Sequence, residues 1–279
     1  MQRKVNALMV SKRMTKNETN TYYELTVPSL IFTDVDETLT HNGELSVEAL
    51  HALYRLREAG IEVVPITAAC SGWCDQIVRF WPIRGIIGEN GAFSALKKGS
   101  HIQIFDSLSE DDRKLNHQCL LKIVDRVIRE IPSFRPAKDN LYRRYDIAID
   151  HSLDNSGVKQ EKLDKALAII DSFGVNASIS SMHINIWIGD YNKSSAAINW
   201  IKTHKCWCEE ELQLRTAFIG NSGEDLSMFK RFKHTIGVSN IRPILSTLTH
   251  TPKEIMSLPG GFGFAEWVNH VLDSRKVNG

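Results

Sequence analysis

Leu30-Ile31-Phe32-Thr33-Asp34-Val35-Asp36-Glu37-Thr38-Leu39-Thr40 is a short apolar run that ends in two carboxylates one residue apart. Side chains alternate along an extended chain, so Asp34 and Asp36 point the same way if the strand continues through them. A turn just after would fan both toward one substrate. Such a pair divides phosphoryl transfer between its members. One carboxylate attacks phosphorus, giving an aspartyl-phosphate that splits a difficult displacement into two easier ones, and its neighbour handles protons. Adjacent negative charges also call for a hard, oxygen-seeking cation, and Mg2+ fits. The rival reading is a strand that simply ends in a polar turn, since Asp and Thr favour turns and caps.

Later segments supply what a phosphoryl-transfer site still lacks. Val63-Val64-Pro65-Ile66-Thr67 is a second short strand, ending in a hydroxyl suited to a phosphate oxygen. Lys193 follows Gly189-Asp190-Tyr191-Asn192 at the start of an expected helix. There it is placed to neutralise the phosphoryl group and the nucleophile, although lysine at an exposed helix start is also common. Ala217-Phe218-Ile219-Gly220-Asn221-Ser222-Gly223-Glu224-Asp225 carries a third strand into an acidic loop able to complete a metal site.

The order and chemistry of these segments resemble the haloacid dehalogenase superfamily of phosphatases. Its motifs are DxDx(T)L, a strand-end Ser or Thr, a Lys, and an acidic GDxxxD-type loop. Gly88-Glu89-Asn90-Gly91-Ala92-Phe93, a large insert before Lys193, and Gly260-Gly261-Phe262-Gly263-Phe264-Ala265-Glu266 look like the branch of sucrose-phosphate, mannosylglycerate-phosphate and trehalose-phosphate phosphatases. The resemblance implies an α/β fold, a Rossmann-like parallel sheet core with an inserted α+β cap domain between the second and third motifs. It implies Asp34 as nucleophile, Asp36 as general acid and then base, and Thr67 and Lys193 as the grip on the phosphoryl oxygens. Magnesium would be held by Asp34, the backbone carbonyl of Asp36, Asn221 and Asp225, although Asp225 also reads as a plain helix cap. The chain departs from the pattern twice. Asn221 stands where the family commonly has Asp, and an amide oxygen is a poorer magnesium ligand than a carboxylate, which leaves Glu224 or Asp225 to compensate. Thr67-Ala68-Ala69-Cys70 replaces a usual Thr-Gly-Arg, so an arginine that would contact substrate is missing.

The rest of the chain agrees with this frame. At 279 residues it is long enough for one large domain or two smaller ones. Lys plus Arg (34) nearly balance Asp plus Glu (33), which gives no reason to expect a nucleic-acid or membrane-surface partner. The expected partner is a small phosphorylated molecule, and the expected location is the cytoplasm. Cysteines 70, 74, 119, 206 and 208 make no CxxC pair and read as reduced thiols, with a zinc clip at His204, Cys206 and Cys208 the weaker reading. Residues 1–20 read as a flexible arm, 21–90 and 190–279 as the catalytic core, and 91–189 as the cap.

In the core, Ser46 is expected to cap a helix whose apolar face is Val47, Leu50, Leu53, Tyr54 and Leu56. Strands over 61–66 and 85–87 and a helix over 73–80 give a βαβαβ rhythm. In the cap, strand-like stretches at 102–105, 144–149 and 177–188 accompany helices over 110–131 and 159–173. Helices at 194–203, from Glu224, and at 266–272 complete the core, with a strand at 235–238. Trp73, Trp81 and Trp200 read as core. Candidate substrate contacts are Glu89, Asn90, Arg143, His183 and Asn185, with a solvated strand edge the alternative for Arg143 and a structural histidine for His183. The function expected is hydrolysis of a small phosphorylated metabolite such as a sugar phosphate. Phosphomutase-like transfer to a second hydroxyl and a catalytically weakened ligand-binding protein are the alternatives.

Overall fold

The structure is a computed structural model that describes residues 27–151, 160–180 and 183–277; the expected N-terminal arm lies outside them. The first unit begins with β1 (Leu30–Thr33), β2 (Thr40–His41), β3 (Glu44–Leu45), α1 (Val47–Glu58), β4 (Glu62–Pro65), α2 (Ser71–Phe80), β5 (Gly85–Gly88), β6 (Phe93–Lys98) and β7 (His101–Asp106). An insert follows, with α3 (Glu110–Glu130), β8 (Arg135–Pro136), β9 (Asp146–Asp150), α4 (Gln160–Asp171), β10 (Asn176–Ile179) and β11 (His183–Trp187). The chain then returns through α5 (Lys193–His204), α6 (Glu209–Arg215), β12 (Thr216–Gly220), α7 (Leu226–Arg231), β13 (His234–Gly237), β14 (Glu254–Ile255) and α8 (Gly260–Val277).

The central sheet is parallel, in the order β14, β13, β12, β1, β4. A parallel bridge between Ile66 and Ile87 brings β5 beside it. Leu30, Ile31 and Phe32 of β1 are wholly buried, as an unbroken apolar run in a doubly covered parallel strand should be. Each such side chain contributes about 1.5–3 kcal/mol of burial. Ile31 joins α1, α2 and α8 on one side of the sheet. Leu30 and Phe32 pack with α5 and α7 on the other.

The insert has its own antiparallel sheet, in the order β10, β11, β9, β8. Ile147, Ile149, Ile184 and Ile186 pack under α3 and α4. By strand alternation the opposite face carries Asp146, Asp150, His183 and Asn185. β6 pairs antiparallel with β5, and β7 with β6, so the stretch from Phe93 to Asp106 belongs by hydrogen bonding to the first unit, although it lies inside the span 91–189 expected to be cap.

Several local expectations need correction. Ser46 does cap α1, accepting from the Ala49 amide at 3.1 Å, but the buried face is Ala49, Ala52, Leu53 and Leu56. Val47 and Tyr54 are exposed, because the alanines let α8 approach closely and turn the inward stripe toward themselves. Trp73 is 60% exposed, since α2 buries Cys74, Ile77 and Val78 and residue 73 sits about 100° off that stripe. Trp200 is core, as expected. The helix expected from Glu224 starts as a 3-10 turn, Gly223–Asp225, before α7. α8 begins six residues before the expected Glu266. Gly261 lies so close to Leu39 that a Cβ would come within 2.5 Å of its carbonyl oxygen, so this glycine-rich start permits contact between backbones.

Candidate active site

The strand order fixes the site. β1 lies between β12 and β4, so the residue after β1, Asp34, is flanked by the ends of β12 and β4, where Asn221 and Thr67 stand. This crevice beyond the carboxyl ends of the strands, at a change of winding direction, is where parallel sheets bind ligands. The Asp34 amide still donates to the Ile219 carbonyl (2.9 Å). The chain then turns sharply: the amides of Thr38, Leu39 and Thr40 all donate to Val35 O, and Glu37 takes φ 57°. Asp34 is buried and Asp36 is exposed.

Lys193 is the first residue of α5, whose Asn192 cap makes a reciprocal capping box with Ser195. An ammonium there faces the positive end of a helix dipole, so it must be held by stronger partners. Nζ donates to Asp34 Oδ1 and to Asp225 Oδ1, each at 2.8 Å. Burial opposes the Lys193 charge, and Asp225 and Asp34 more than offset it, raising its pKa. Burial pushes the Asp34 carboxyl well above the carboxylate range, against the pull of Lys193. Desolvation by the nearby protein, and then Glu37, likewise raise Asp36, against the pull of Lys193. Thr38 Oγ1, which the sequence reading passed over, lies 3.5 Å from Asp34 Oδ2.

The acidic loop is organised around Asp225, which is completely buried. Its Oδ2 accepts from the amides of Asn221 (2.9 Å) and Ser222 (3.2 Å), while Oδ1 is on Lys193. The expected metal ligand Asp225 therefore has both oxygens engaged by protein donors. Asn221 Nδ2 donates to the Asp36 carbonyl (3.2 Å). Glu224 is raised by burial, with Lys193, Asp225 and Asp36 as its charged neighbours and Ser178 of β10 across from it. Thr67 is fully buried, and its Oγ1 accepts from the Ala69 amide (2.9 Å).

The five expected substrate contacts fall into a different pattern. Glu89 is completely buried and accepts from the amides of Ser71, Arg144, Tyr145 and Asp146, so it fastens the insert to the first unit. Burial, and then Asp146, push its pKa up to about 8. Arg143 is 8% exposed. It pairs with Asp139 (2.7 Å) and Asp146 (3.0 Å) and donates to Ala68 O (3.1 Å) in the loop after β4. Asn185 is buried and donates to Asp146 Oδ2 (3.0 Å). In this structure the three side chains are engaged at the junction of the two units, Glu89 by backbone amides and Arg143 and Asn185 by the shared Asp146. His183 is half-buried, its charge disfavoured chiefly by burial. Asn90, beside Thr67, leaves Nδ2 buried and unpartnered.

Among the described residues, no cluster of His, Cys, Asp and Glu forms a ready-made metal cage, and Cys206 and Cys208 are free exposed thiols. Nor, among those residues, is any helix long and apolar enough to cross a membrane.

Residues 31–251 match the family of haloacid dehalogenase-like hydrolases, and the chain belongs to that family. It is an enzyme of the phosphatase kind, and phosphatases are prominent among its relatives. A phosphoglycolate phosphatase of Pyrobaculum neutrophilum is 27% identical over 249 residues, covering 87% of this chain and 95% of that one. A Thermoplasma acidophilum structure shares the fold with a TM-score of 0.68 at 16% identity, over 88% of this chain and 98% of that chain. The sucrose-phosphatase of Synechocystis, solved with sucrose and phosphate, has a TM-score of 0.62 at 14% identity, over 87% and 97%.

Proposed function

We propose that this phosphatase is a soluble cytoplasmic, magnesium-dependent hydrolase of a small sugar phosphate, working through an aspartyl-phosphate on Asp34. The observation that carries the reading is the Lys193 ammonium, 2.8 Å from both Asp34 and Asp225 and drawn from sequence positions 159 and 32 residues away. An oxygen of Asp34 attacks phosphorus as the ester P–O bond breaks. Asp36, whose raised pKa keeps a proton available, protonates the leaving oxygen. Its carboxylate then takes a proton from the water that attacks the phosphorus, the P–O bond to Asp34 breaks, and phosphate leaves. Lys193 and Thr67 hold the phosphoryl oxygens, and Asp225 positions Lys193.

The charge inventory fits a divalent cation. Asp34, Asp36, Glu224 and Asp225 gather around the Lys193 ammonium, an excess of carboxylate that protons or a cation would offset. Asp34, the Asp36 carbonyl and the side-chain oxygen of Asn221, whose amide can rotate, would hold magnesium. When bound it would offset phosphate charge and orient the ester.

The insert would close over this site as a cap. Its face away from α3 and α4 presents Ser178 and His183, short polar groups suited to hydroxyls. The test is phosphate release from a panel of sugar phosphates and phosphoglycolate, with Mg2+ and with chelator. The expected result is metal-dependent turnover with sugar phosphates leading. Equal rates in chelator would refute the metal, and a preference for phosphoglycolate would refute the sugar.

A further inference from the structure

The turn that closes β5 is held in a conformation that most residues avoid. Glu89, Asn90 and Gly91 take φ of 44°, 59° and 107° in succession, and all of them are buried. Only glycine adopts the left-handed region freely, so Glu89 and Asn90 carry backbone strain, which persists where the surroundings fix it from several sides. Those surroundings are parts of the site. The Glu89 amide donates to the Ala69 carbonyl (3.2 Å) and the Asn90 amide to the Thr67 carbonyl (3.1 Å). Gly91 lies so close to Asn192, the residue before Lys193, that a Cβ would come within 2.6 Å of its carbonyl oxygen. The Glu89 carboxylate accepts from the amides of Ser71 (2.9 Å), Arg144 (3.0 Å), Tyr145 (2.7 Å) and Asp146 (3.2 Å). One turn therefore touches the insert, the loop that carries Thr67 and the start of the helix that carries Lys193.

We propose that Glu89 is a positioning residue for phosphoryl transfer, carrying the seating of the insert through this strained turn to Thr67 and Lys193. The inference rests on the proposed roles of those two residues as the grip on the phosphoryl oxygens, and adds what aligns them. A buried apolar pair could fasten the insert without straining the backbone. Glu89 instead ties the amides of residues 144–146 to a turn whose own amides hold the Thr67 loop at two carbonyls, so a shift of the insert reaches the grip. Misplacing a catalytic group by about 1 Å can cost about a hundredfold in rate. All substrates share the phosphoryl group, so even one that makes no use of the insert should depend on Glu89.

The test is steady-state kinetics well below each variant's melting midpoint, with a sugar phosphate and with p-nitrophenyl phosphate, whose leaving group has no hydroxyls for the insert to recognise. Glu89→Gln is expected to lower kcat roughly tenfold or more on both, with KM within about threefold of wild type. Glu89→Asp, which keeps the acceptor oxygens on a shorter arm, should fall between. Leu120→Ala, in the insert's own core, should lower the midpoint but leave kcat for p-nitrophenyl phosphate within about twofold of wild type. A Glu89→Gln loss confined to the sugar phosphate, or one that Leu120→Ala matches, makes Glu89 a fastener only and overturns the inference while leaving the proposed function in place. If Glu89→Gln does not melt cooperatively, Glu89→Asp decides by the same criterion. A wild-type kcat in Lys193→Ala overturns the grip itself, and the inference with it.

Discussion

Replacing Arg143 by Ala should unfasten the insert rather than change what the enzyme selects. The guanidinium bonds both oxygens of Asp139 and of Asp146, and Asp146 is itself 1% exposed and close to the buried Glu89. Truncation would leave Asp146 with Asn185 Nδ2 as its side-chain donor and no cation beside it. Removing one partner of a buried ion pair costs about 3–5 kcal/mol, because the other charge remains in a poorly solvating place. For a chain of this size each kcal/mol lowers the melting midpoint by roughly 2–4 °C, so the drop should be on the order of 10 °C. Calorimetric melting at neutral pH measures it. Arg143→Lys should fall between, keeping the charge but losing the fork that spans two carboxylates. Well below the midpoint, the order of preference among sugar phosphates should match wild type. An unchanged midpoint with an altered order would refute this reasoning and return Arg143 to the substrate.

Asp34→Asn should abolish phosphate release while leaving the melting curve near wild type, since the amide is nearly isosteric but cannot attack phosphorus; residual turnover at the wild-type rate would remove Asp34 as nucleophile. Glu89 should make stability fall with rising pH. Its folded pKa of about 8 lies above the ordinary 4.5, so the native state holds the extra proton between those values and stability is lost as pH climbs through them. Melting midpoints of wild type minus Glu89→Gln across pH 5 to 9 should show that slope, and a flat difference would contradict it. Gly91→Ala should lower both stability and turnover. The residue has φ +107° and a Cβ there would lie 2.6 Å from the Asn192 carbonyl, a strain of about 1–3 kcal/mol from the dihedral alone that falls on the turn presenting Lys193; midpoint and kcat check it, and a wild-type kcat would argue that α5 absorbs the shift.

The site motifs were legible because each is local. Asp34, Thr67 and Asn221 all sit where an apolar strand meets polar chain, and a strand end is written within a few residues of itself. Lys193 was legible as the opening of a helix and, through the motif resemblance, as the partner of Asp34, but its second partner Asp225 was not, because nothing near residue 193 encodes a contact with residue 225. The same distance hid the partners of Glu89, whose donors at 144–146 are over 50 residues away. A signal existed: Ile86-Ile87-Gly88-Glu89-Asn90-Gly91-Ala92-Phe93 places a charge inside an apolar stretch, and a charge so placed is paired or hydrogen-bonded. Arg143 read as a substrate contact or a strand-edge cation because nothing local shows that the fold buries it beside Asp146. The face of α1 was misjudged because large apolar residues were counted and alanines were not.

The joint between the two units is made through Glu89 and the amide hydrogens of residues 144 to 146, groups that nearly every amino acid carries. This half of the joint therefore holds a shape of backbone, while Arg143 and Asp146 add a side-chain clasp beside it. Substitutions away from that clasp, at Ser178 or His183, can alter what the insert presents without loosening its attachment. Loop-closure entropy, which grows only logarithmically with length, makes changes in the insert's size similarly inexpensive. On the proposed reading of the insert as a cap, the molecule pairs a fixed reaction centre with an exchangeable faceplate, in which new specificities can be tried while Glu89 and the Arg143 clasp keep the fitting unchanged.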